Sequence, residues 1–179
     1  MTGTSSGIGE AIAKFLVTKG WTVFAGVRKE SDGEKLRTVS ANIKPVILDV
    51  TKEDQVHSAI ENVRVAVGQE GLDVLVNSAG LALLGPMEFT PMSDVLKQYD
   101  VNILGLIRVT QAAMPLIRMG TPGRIVNIGT VGSEMRTPYA GIYQSTKAAL
   151  VTVNESMRRE VAQFGKRDEL GIWLSHRDV

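Results

Sequence analysis

The chain has 179 residues, of which 44% are hydrophobic and 22% are charged, the composition of an ordinary globular domain. Twenty basic and nineteen acidic residues leave a net charge of +1, so no bulk field favours nucleic acid or an anionic membrane. The absence of cysteine excludes disulfides, a thiol nucleophile and cysteine-ligated zinc. With only two histidines, His57 and His176, a histidine-based metal site or catalytic triad is not expected.

No stretch of the sequence is typical of a membrane span or a signal peptide. The uncharged segment from Val74 to Met87 contains polar residues and is shorter than the roughly 20 apolar residues that a bilayer requires. The N-terminus has neither a basic lead nor a long apolar run. We therefore predict a cytoplasmic location.

Short β-branched runs alternate with helical patterns along the chain. The helical patterns cover Gly7 to Lys19, a segment ending near Val67, Val95 to Leu116, and Tyr143 to about Phe164. Ser31-x-x-Glu34 and Thr51-x-x-Asp54 are typical helix-start boxes. The strand-like runs are Trp21–Ala25, Pro45–Val50, Leu72–Val76 and Arg124–Ile128. This alternation predicts an α/β protein with a doubly wound, Rossmann-like parallel sheet, which is more economical than an all-helical fold.

A glycine-rich turn opens directly into the first predicted helix. Residues 2–9 read TGTSSGIG, with glycines at positions 3, 7 and 9. Glycines let the backbone turn sharply, and they let a pyrophosphate approach main-chain N–H groups at the positive end of a helix. The segment therefore predicts nucleotide binding, although a simple glycine-rich helix start has the same composition.

Tyr143 and Lys147 are four residues apart, one turn along the same face of a predicted helix. An ammonium beside a phenol favours the phenolate, so we expect a lowered pKa for Tyr143 and a general acid–base role. A surface helix with an incidental pair is the alternative. Tyr139 has Tyr143 rather than lysine four residues later, so it is expected to pack or to face the substrate.

A hydroxyl upstream of this pair completes a possible site. Thr130 lies thirteen residues before Tyr143, at the end of the fourth predicted strand, where doubly wound sheets bind their ligands. A hydroxyl there would hydrogen-bond a substrate carbonyl. Ser133 is close enough in sequence to be that hydroxyl instead.

Five motifs occur in order along the chain: TGTSSGIG at 2–9, VNSAG at 76–80, DVNILG at 100–105, RIVNIGT at 124–130 and YQSTK at 143–147. In order and spacing they resemble the short-chain dehydrogenase/reductase family, up to about Gly165. The sequence segments VFAGVRK, LDVT and NIGT are most similar to those of members that act on retinoids, steroids or lipid-like carbonyls. The resemblance implies hydride exchange between a nicotinamide cofactor and a small, hydrophobic alcohol or carbonyl compound.

The resemblance also implies a role for each matching position. Tyr143 would donate or remove the proton at the substrate oxygen, Lys147 would hold the nicotinamide ribose, and Asn102 would anchor a water in the proton relay. Thr130 stands where the family has serine, and Ser78 replaces the second asparagine of the usual NNAG. The side chain of Asp49 would meet the adenine. The residues expected along the cofactor are Gly3, Ser5, Gly7, Ile8, Gly9, Arg28, Asp49, Val50, Asn77, Ala79, Gly80, Tyr143 and Lys147.

The choice of cofactor depends on charge near the adenosine ribose. An acid at the end of the second family strand would bond the ribose hydroxyls of NAD and repel a 2′-phosphate. Here the sequence reads AGVRK at 25–29, with no acid before Glu30. Arg28 can fork onto a phosphate, so NADP is preferred and NAD is the alternative.

The chain departs from the family at both ends. The family's first strand, which precedes the TG motif in the middle of the sheet, has no counterpart, so its two neighbours are expected to lack their partner. After Gly165 the chain reads KRDELGIWLSHRDV, without the family's next strand and proline-glycine turn. We expect an incomplete dinucleotide-binding domain over residues 1–165 and a divergent tail over residues 166–179.

Two functions from different classes remain open at this point. The first is a catalytic NAD(P)-dependent oxidoreductase. The second is a non-catalytic fragment that at most binds nucleotide or pairs with an intact relative. The family uses the helices that match Val95–Leu116 and Tyr143–Phe164 for dimer contacts, so homo-oligomerisation is expected in either case.

Overall fold

The computed structural model describes residues 1–121 and 123–162. The described helices are α1 (Gly7–Thr18), α2 (Glu30–Arg37), α3 (Glu53–Val67), α4 (Met92–Tyr99), α5 (Gly105–Met119) and α6 (Gly141–Ala162). The described strands are β1 (Val23–Val27), β2 (Ile43–Ile47), β3 (Val74–Asn77) and β4 (Arg124–Asn127). Short 3₁₀ turns occur at Met87–Phe89 and Val131–Ser133.

The described strands form two parallel pairs. In the first pair, Val23 of β1 lies opposite Ile43 of β2, and in the second, Val74 of β3 lies opposite Arg124 of β4. Each parallel connection passes through at least one helix, as the crossover geometry of parallel strands requires. The predicted α/β class with parallel strands is confirmed.

The first four residues lie between the two strand pairs and bond to β1. The Met1 amino group donates to the Phe24 carbonyl at 2.7 Å, and the Gly26 N–H donates to the Met1 carbonyl at 2.8 Å. The Thr4 N–H then donates to the Gly26 carbonyl at 3.1 Å. These bonds alternate along the chain as they do in a parallel ladder.

The same segment also bonds to β3, which corrects the expectation that β1 and β3 lack a partner. The Thr2 N–H donates to the Val76 carbonyl at 2.9 Å. A main chain of four residues is sufficient for this bridge because successive residues of a strand point their N–H and C=O groups to opposite neighbours.

Three apolar clusters form the core of the described residues. In one, alternate residues of β1 pack with Ala13 of α1 and Leu36 of α2. In the largest, Leu75 of β3 and Ile125 of β4 pack with α3, α5 and Val161 of α6. The smallest joins α5 to α6. Helices therefore cover both strand pairs and leave the carboxyl ends of the strands available for a ligand.

The long predicted helix from Val95 to Leu116 is interrupted by one π turn. Helix α4 continues into a π-helical segment at Asp100–Leu104 and then into α5 without leaving helical backbone angles. Such single π turns occur frequently at functional sites. Asn102 lies at the centre of this turn.

The predicted helix-start boxes are wrong. The residues that precede α2 and α3 are Lys29 and Lys52, and neither helix has a side-chain cap. Thr51 lies two residues before the first residue of α3, and its hydroxyl donates to Asp49 Oδ1 at 2.8 Å. Strand β1 begins two residues later than predicted because the Trp21 N–H still bonds to Leu16 at the end of α1.

Two sequence predictions are not tested by these elements. The predicted tail over residues 166–179 lies outside the described residues. Within the described residues, no helix is both long and apolar enough to cross a membrane. The predicted cytoplasmic location stays a prediction.

Candidate active site

A cavity of about 440 Å³ lies at the carboxyl ends of the strands, a size that is ordinary for a cofactor site. It brings together eleven of the residues predicted from the sequence. These residues are Gly3, Ser5, Ile8, Gly9, Arg28, Asp49, Val50, Ala79, Gly80, Tyr143 and Lys147. Its wall also contains Ser78, Leu81 and Lys97, to which the sequence analysis assigned no role.

The glycine turn forms the floor of this cavity. Gly3 and Gly7 have φ of 67° and 59°, which side chains disfavour. A Cβ on Gly3 would lie 2.7 Å from the backbone nitrogen of Ala79, and a Cβ on Gly9 would collide with the Gly3 carbonyl. Close approach of backbone segments therefore requires glycine at positions 3 and 9, whereas Gly7 is favoured by its positive φ alone. Helix α1 begins at Gly7 with its N-terminus at the turn.

Thr2 attaches this floor to the opposite wall. Its buried hydroxyl accepts hydrogen bonds from the Ser78 and Ala79 N–H groups, both at 3.0 Å. Thr2 therefore positions residues 78–80 beside the glycine turn. The sequence analysis missed this role, although the threonine belongs to the TGTSSGIG motif.

At one end of the cavity, Asp49 lies in the field of Arg28. Burial alone would raise the pKa of Asp49, but hydrogen bonds from the N–H and hydroxyl of Thr51, with the charges of Arg28 and Lys52, hold that pKa below its usual range. Asp49 is therefore ionised at neutral pH. This end presents a carboxylate acceptor and a guanidinium donor to the same ligand.

At the other end of the cavity is the half-buried phenol of Tyr143. Burial raises the pKa of Tyr143, and a hydrogen bond from the Thr130 side chain acts in the opposite direction. Ser133 instead donates its hydroxyl to the Thr130 carbonyl at 2.8 Å. Thr130, rather than Ser133, is therefore the hydroxyl beside Tyr143.

Lys147 is buried on the same face of α6. Its Nζ donates to the Ile128 carbonyl at 2.8 Å, and burial lowers the pKa of this ammonium. The lowered pKa predicted for Tyr143 is not found. Burial of the phenol outweighs the hydrogen bond from Thr130, so the pKa of Tyr143 lies above its usual value.

Asn102 connects the cavity wall to the turn of α6 that carries Tyr143 and Lys147. Its Oδ1 accepts from the Leu81 N–H at 2.8 Å, and its Nδ2 donates to the Leu81 carbonyl at 2.8 Å and to Thr146 Oγ1 at 3.0 Å. The fully buried Thr146, which precedes Lys147, was missed by the sequence analysis. The water-anchoring role of Asn102 stays a prediction.

Asn77 lies below the cavity rather than in its wall. Its Nδ2 donates to Asn127 Oδ1 at 2.9 Å and to Thr110 Oγ1 at 3.0 Å, and Asn127 Nδ2 donates to Asn154 Oδ1 at 2.9 Å. This buried row of amides joins β3, β4, α5 and α6. Asn77 thus supports the end of β3. Four of the predicted site residues are outside the cavity lining: Gly7, Asn77, Asn102 and Thr130.

The residues present fit a dinucleotide. The glycine turn and the α1 N-terminus suit a pyrophosphate, Asp49 and Val50 suit an adenine, and Tyr143 and Lys147 meet the far end of the same cavity. Within residues 1–121 and 123–162, no group of three or more histidine or acidic side chains could hold a metal ion.

This fold and cavity define a doubly wound, nucleotide-binding α/β protein. The family profile described as "short chain dehydrogenase" matches residues 1–167. The chain belongs to the short-chain dehydrogenase family, whose members are NAD(P)-dependent oxidoreductases, and the resemblance seen in the sequence is confirmed.

Individual relatives agree with this assignment. NADPH-dependent 3-dehydrocapnine reductase of Ornithobacterium rhinotracheale is 34% identical over 170 residues, covering 92% of this chain and 60% of that protein. Retinol dehydrogenase 7 of Rattus norvegicus is 38% identical over 167 residues, covering 92% and 52%. The crystal structure of an alcohol dehydrogenase from Thermococcus sibiricus, complexed with 5-hydroxy-NADP, matches with a TM-score of 0.84 at 28% identity, over 97% of this chain and 72% of that one. The chain thus spans between half and two thirds of the length of these two sequence relatives.

The buried ammonium of Lys147 makes stability depend on pH. Because its folded pKa lies below the ordinary 10.5, the unfolded chain binds more protons between these two values, and the free energy of unfolding rises with pH there. We expect the stability of the parent, relative to Lys147→Met, to increase as pH rises from about 7 toward about 10.5.

Urea unfolding at a series of pH values measures this difference. The pKa of Tyr143 lies above its ordinary value of about 10, so the phenol stays protonated over most of this range in both proteins. Lys44→Met, at an exposed position of β2, controls for the loss of one positive charge. A difference that stays flat or falls with pH for Lys147→Met would contradict a buried, destabilised ammonium.

Proposed function

We propose that this chain is an NAD(P)-dependent oxidoreductase that interconverts an alcohol and a carbonyl compound. The observation that carries the proposal is the presence of the phenol of Tyr143 and the buried ammonium of Lys147 together in the lining of a cavity that fits a dinucleotide. The Thr130 side chain lies next to Tyr143, outside that lining. Membership of the family supports the same reaction class.

The side chains have separate roles in this reaction. The nicotinamide cofactor, when bound, supplies or accepts the hydride. Tyr143 carries its proton at neutral pH because burial raises its pKa, so the phenol can protonate the oxygen of a carbonyl that is being reduced. The Thr130 hydroxyl donates to Tyr143 or to the substrate oxygen and orients it. Lys147 places positive charge near the developing phenolate.

The cofactor in this proposal is NADP rather than NAD. Arg28 lines the cavity directly after β1, on the same wall as Asp49. A guanidinium at this position suits a 2′-phosphate, with which it forms paired hydrogen bonds. The NADPH-dependent 3-dehydrocapnine reductase supports the choice by its name.

The substrate in this proposal is hydrophobic. Large apolar side chains are exposed on the segments that follow β3 and β4, at Leu84, Met87, Phe89, Met135 and Tyr139. An exposed apolar surface beside a reactive group is typical of a binding site for an apolar ligand. Retinol dehydrogenase 7 is a relative whose named substrate has this character.

Thermal unfolding with NADPH tests whether the cofactor site is functional. At a hundredfold excess over its dissociation constant, the cofactor should stabilise the folded chain by about 2.7 kcal/mol, or raise the Tm by roughly 5–10 °C. In Tyr143→Phe the shift should be retained, while turnover of a carbonyl substrate should fall by about 10²-fold or more because the proton donor is lost.

Thr22→Val, which removes an exposed hydroxyl, is the matched control and should leave both the shift and turnover unchanged. Retained turnover in Tyr143→Phe would show that another group moves the proton. No NADPH shift in the parent, without cooperative unfolding, would favour the non-catalytic fragment as the description of this chain.

Arg28→Ala tests the choice between NADP and NAD. Loss of the guanidinium should raise the dissociation constant of NADPH by about ten- to a hundredfold, because one charge-assisted contact to phosphate contributes about 1.5–3 kcal/mol, and should leave NADH binding unchanged. Lys29→Ala, a neighbouring exposed cation outside the cavity lining, is the control. Equal NADPH affinities for parent and Arg28→Ala would contradict the preference. Isothermal titration gives both constants.

We propose in addition that the chain self-associates through α5 and α6. A groove of about 510 Å³ runs between these helices and is lined mainly by apolar and small side chains, including Ile107, Met114, Val153 and Met157. A surface of this kind on two neighbouring helices suits packing against the same surface of a second copy.

Sedimentation velocity over a range of protein concentrations tests self-association. Thr152→Arg places a charge on an exposed position of the groove and should shift the chain toward monomer without loss of stability. Thr38→Arg, exposed at the end of α2, should sediment as the parent does. A monomer at every concentration in the parent would refute pairing through this surface.

A further inference from the structure

Gln98 of α4 is a polar side chain with no exposed surface. Its Oε1 accepts from the Leu83 N–H at 2.9 Å, which fixes the orientation of the amide because an N–H pairs only with the oxygen. The Nε2 of the same amide is buried and has no partner among the described residues. An unpaired buried donor lowers stability, so the needs of folding alone do not explain a glutamine at this position.

Gln98 and Asn102 bond to alternate residues of the segment that follows β3. Asn102 lies four residues after Gln98 and bonds to both the N–H and the C=O of Leu81, each at 2.8 Å. Residues four apart on a helix are separated by about 6 Å along its axis, and alternate residues of an extended chain by about 6.6 Å. The two amides therefore match the spacing of Leu81 and Leu83, and they hold this segment along the helix.

The segment that these amides hold is a wall of the cofactor cavity. Three of its residues belong to the cavity lining: Gly80, Leu81 and Ala82. A Cβ added to Gly80 would lie 3.9 Å from Lys147 Nζ, so this wall stands directly beside the buried ammonium. Gln98 itself is outside the lining, so it acts on the cavity through the wall.

The bond from Gln98 is not duplicated by other contacts of the wall. The Thr2 hydroxyl accepts from the N–H groups of residues 78 and 79, and Asn102 holds Leu81. The next main-chain bond along the segment runs from the Gly85 N–H to the Tyr139 carbonyl, at 2.8 Å. Between Leu81 and Gly85, the Gln98 amide is therefore the one hydrogen-bond partner of the main chain among the described residues.

We infer that Gln98 is a positioning residue, which fixes the wall of residues 80–83 at the end of the cavity where Lys147 lies. The inference rests on the proposed function for the identity of the cofactor, whose nicotinamide half occupies this end in the proposed reaction. It adds a residue that sets the affinity for the cofactor without touching it, because a wall that is already ordered need not be ordered by binding.

Gln98→Met separates positioning from folding, because it keeps the length of the side chain and removes both the acceptor for Leu83 and the unpaired donor. Leu83 is partly exposed, so its released N–H can bond to water, and the Tm should be unchanged or higher. The dissociation constant of oxidised NADP should rise about three- to tenfold, because binding must then order the wall.

Two further ligands locate the effect within the cavity. The dissociation constant of NAD should rise by the same factor in Gln98→Met, because NAD has the same nicotinamide half. Adenosine 2′,5′-bisphosphate, which lacks that half of NADP, should bind the variant and the parent equally. A substitution that loosened the whole chain would weaken the binding of all three. Isothermal titration measures each constant and requires no turnover.

Two control variants accompany these measurements. Gln98→Glu keeps an oxygen near the Leu83 N–H, and at about pH 6, where burial keeps the new carboxyl protonated, it should bind NADP like the parent. Gln111→Met makes the same chemical change at an exposed position of α5 outside the cavity lining, and it should leave all three constants unchanged.

The outcomes separate this inference from the proposed function. Weaker binding of NADP and NAD by Gln98→Met at an undiminished Tm supports the inference even where no turnover is seen, in which case the oxidoreductase proposal alone fails. Unchanged NADP affinity in Gln98→Met overturns the inference. So does an equal loss of affinity for adenosine 2′,5′-bisphosphate, a Gln98→Glu variant that binds as weakly as Gln98→Met, or a parent that binds neither dinucleotide.

Discussion

The main chain of residues 1–4 lies between β1 and β3, and the two strand pairs are held together through it. Met1 and Thr4 bond to β1, and Thr2 bonds to β3 through its N–H and, through its hydroxyl, to the N–H groups just beyond that strand. The glycine turn directly follows residues 1–4 in the chain. The hydrogen bonds that join the two strand pairs therefore also place this turn against residues 78–80, which follow β3. The cavity exists only when these backbones lie at this separation.

The proposed chemistry depends on a second set of buried polar contacts around the start of α6. Asn102 ties Thr146 to Leu81, and Tyr99 bonds to Ser145 at 2.9 Å, so the turn that carries Tyr143 and Lys147 is held from the π segment. Buried polar groups that are fully paired in this way specify one arrangement, since any other leaves them unsatisfied. The position of the phenol is therefore a property of several helices together.

Much of the candidate site could be predicted because its residues belong to short motifs whose spacing along the chain has a direct physical meaning. The glycines at 3, 7 and 9 and the Tyr143–Lys147 spacing have one economical interpretation each, and eleven of the predicted cofactor residues do line one cavity. The predictions of the helix caps and of the direction of the Tyr143 pKa shift were wrong for a different reason. Helix α3 begins at Glu53 rather than directly after Thr51, and the phenol of Tyr143 loses water on folding.

By itself, the sequence determined the class of fold and the family, because both depend on the order of elements and motifs along the chain. The nucleotide-binding role of the glycine turn and the acid–base role of Tyr143 and Lys147 stay predictions from spacing along a helix. Only the tertiary structure decided which hydroxyl meets Tyr143, where Lys147 directs its ammonium, and that four N-terminal residues bridge β1 and β3. It also decided the left-handed backbone of Tyr139, which Gly85 and Gln144 help to hold. These features arise from burial and from contacts between distant segments, and no local pattern of residues encodes the distance between two strands or the water lost from a side chain.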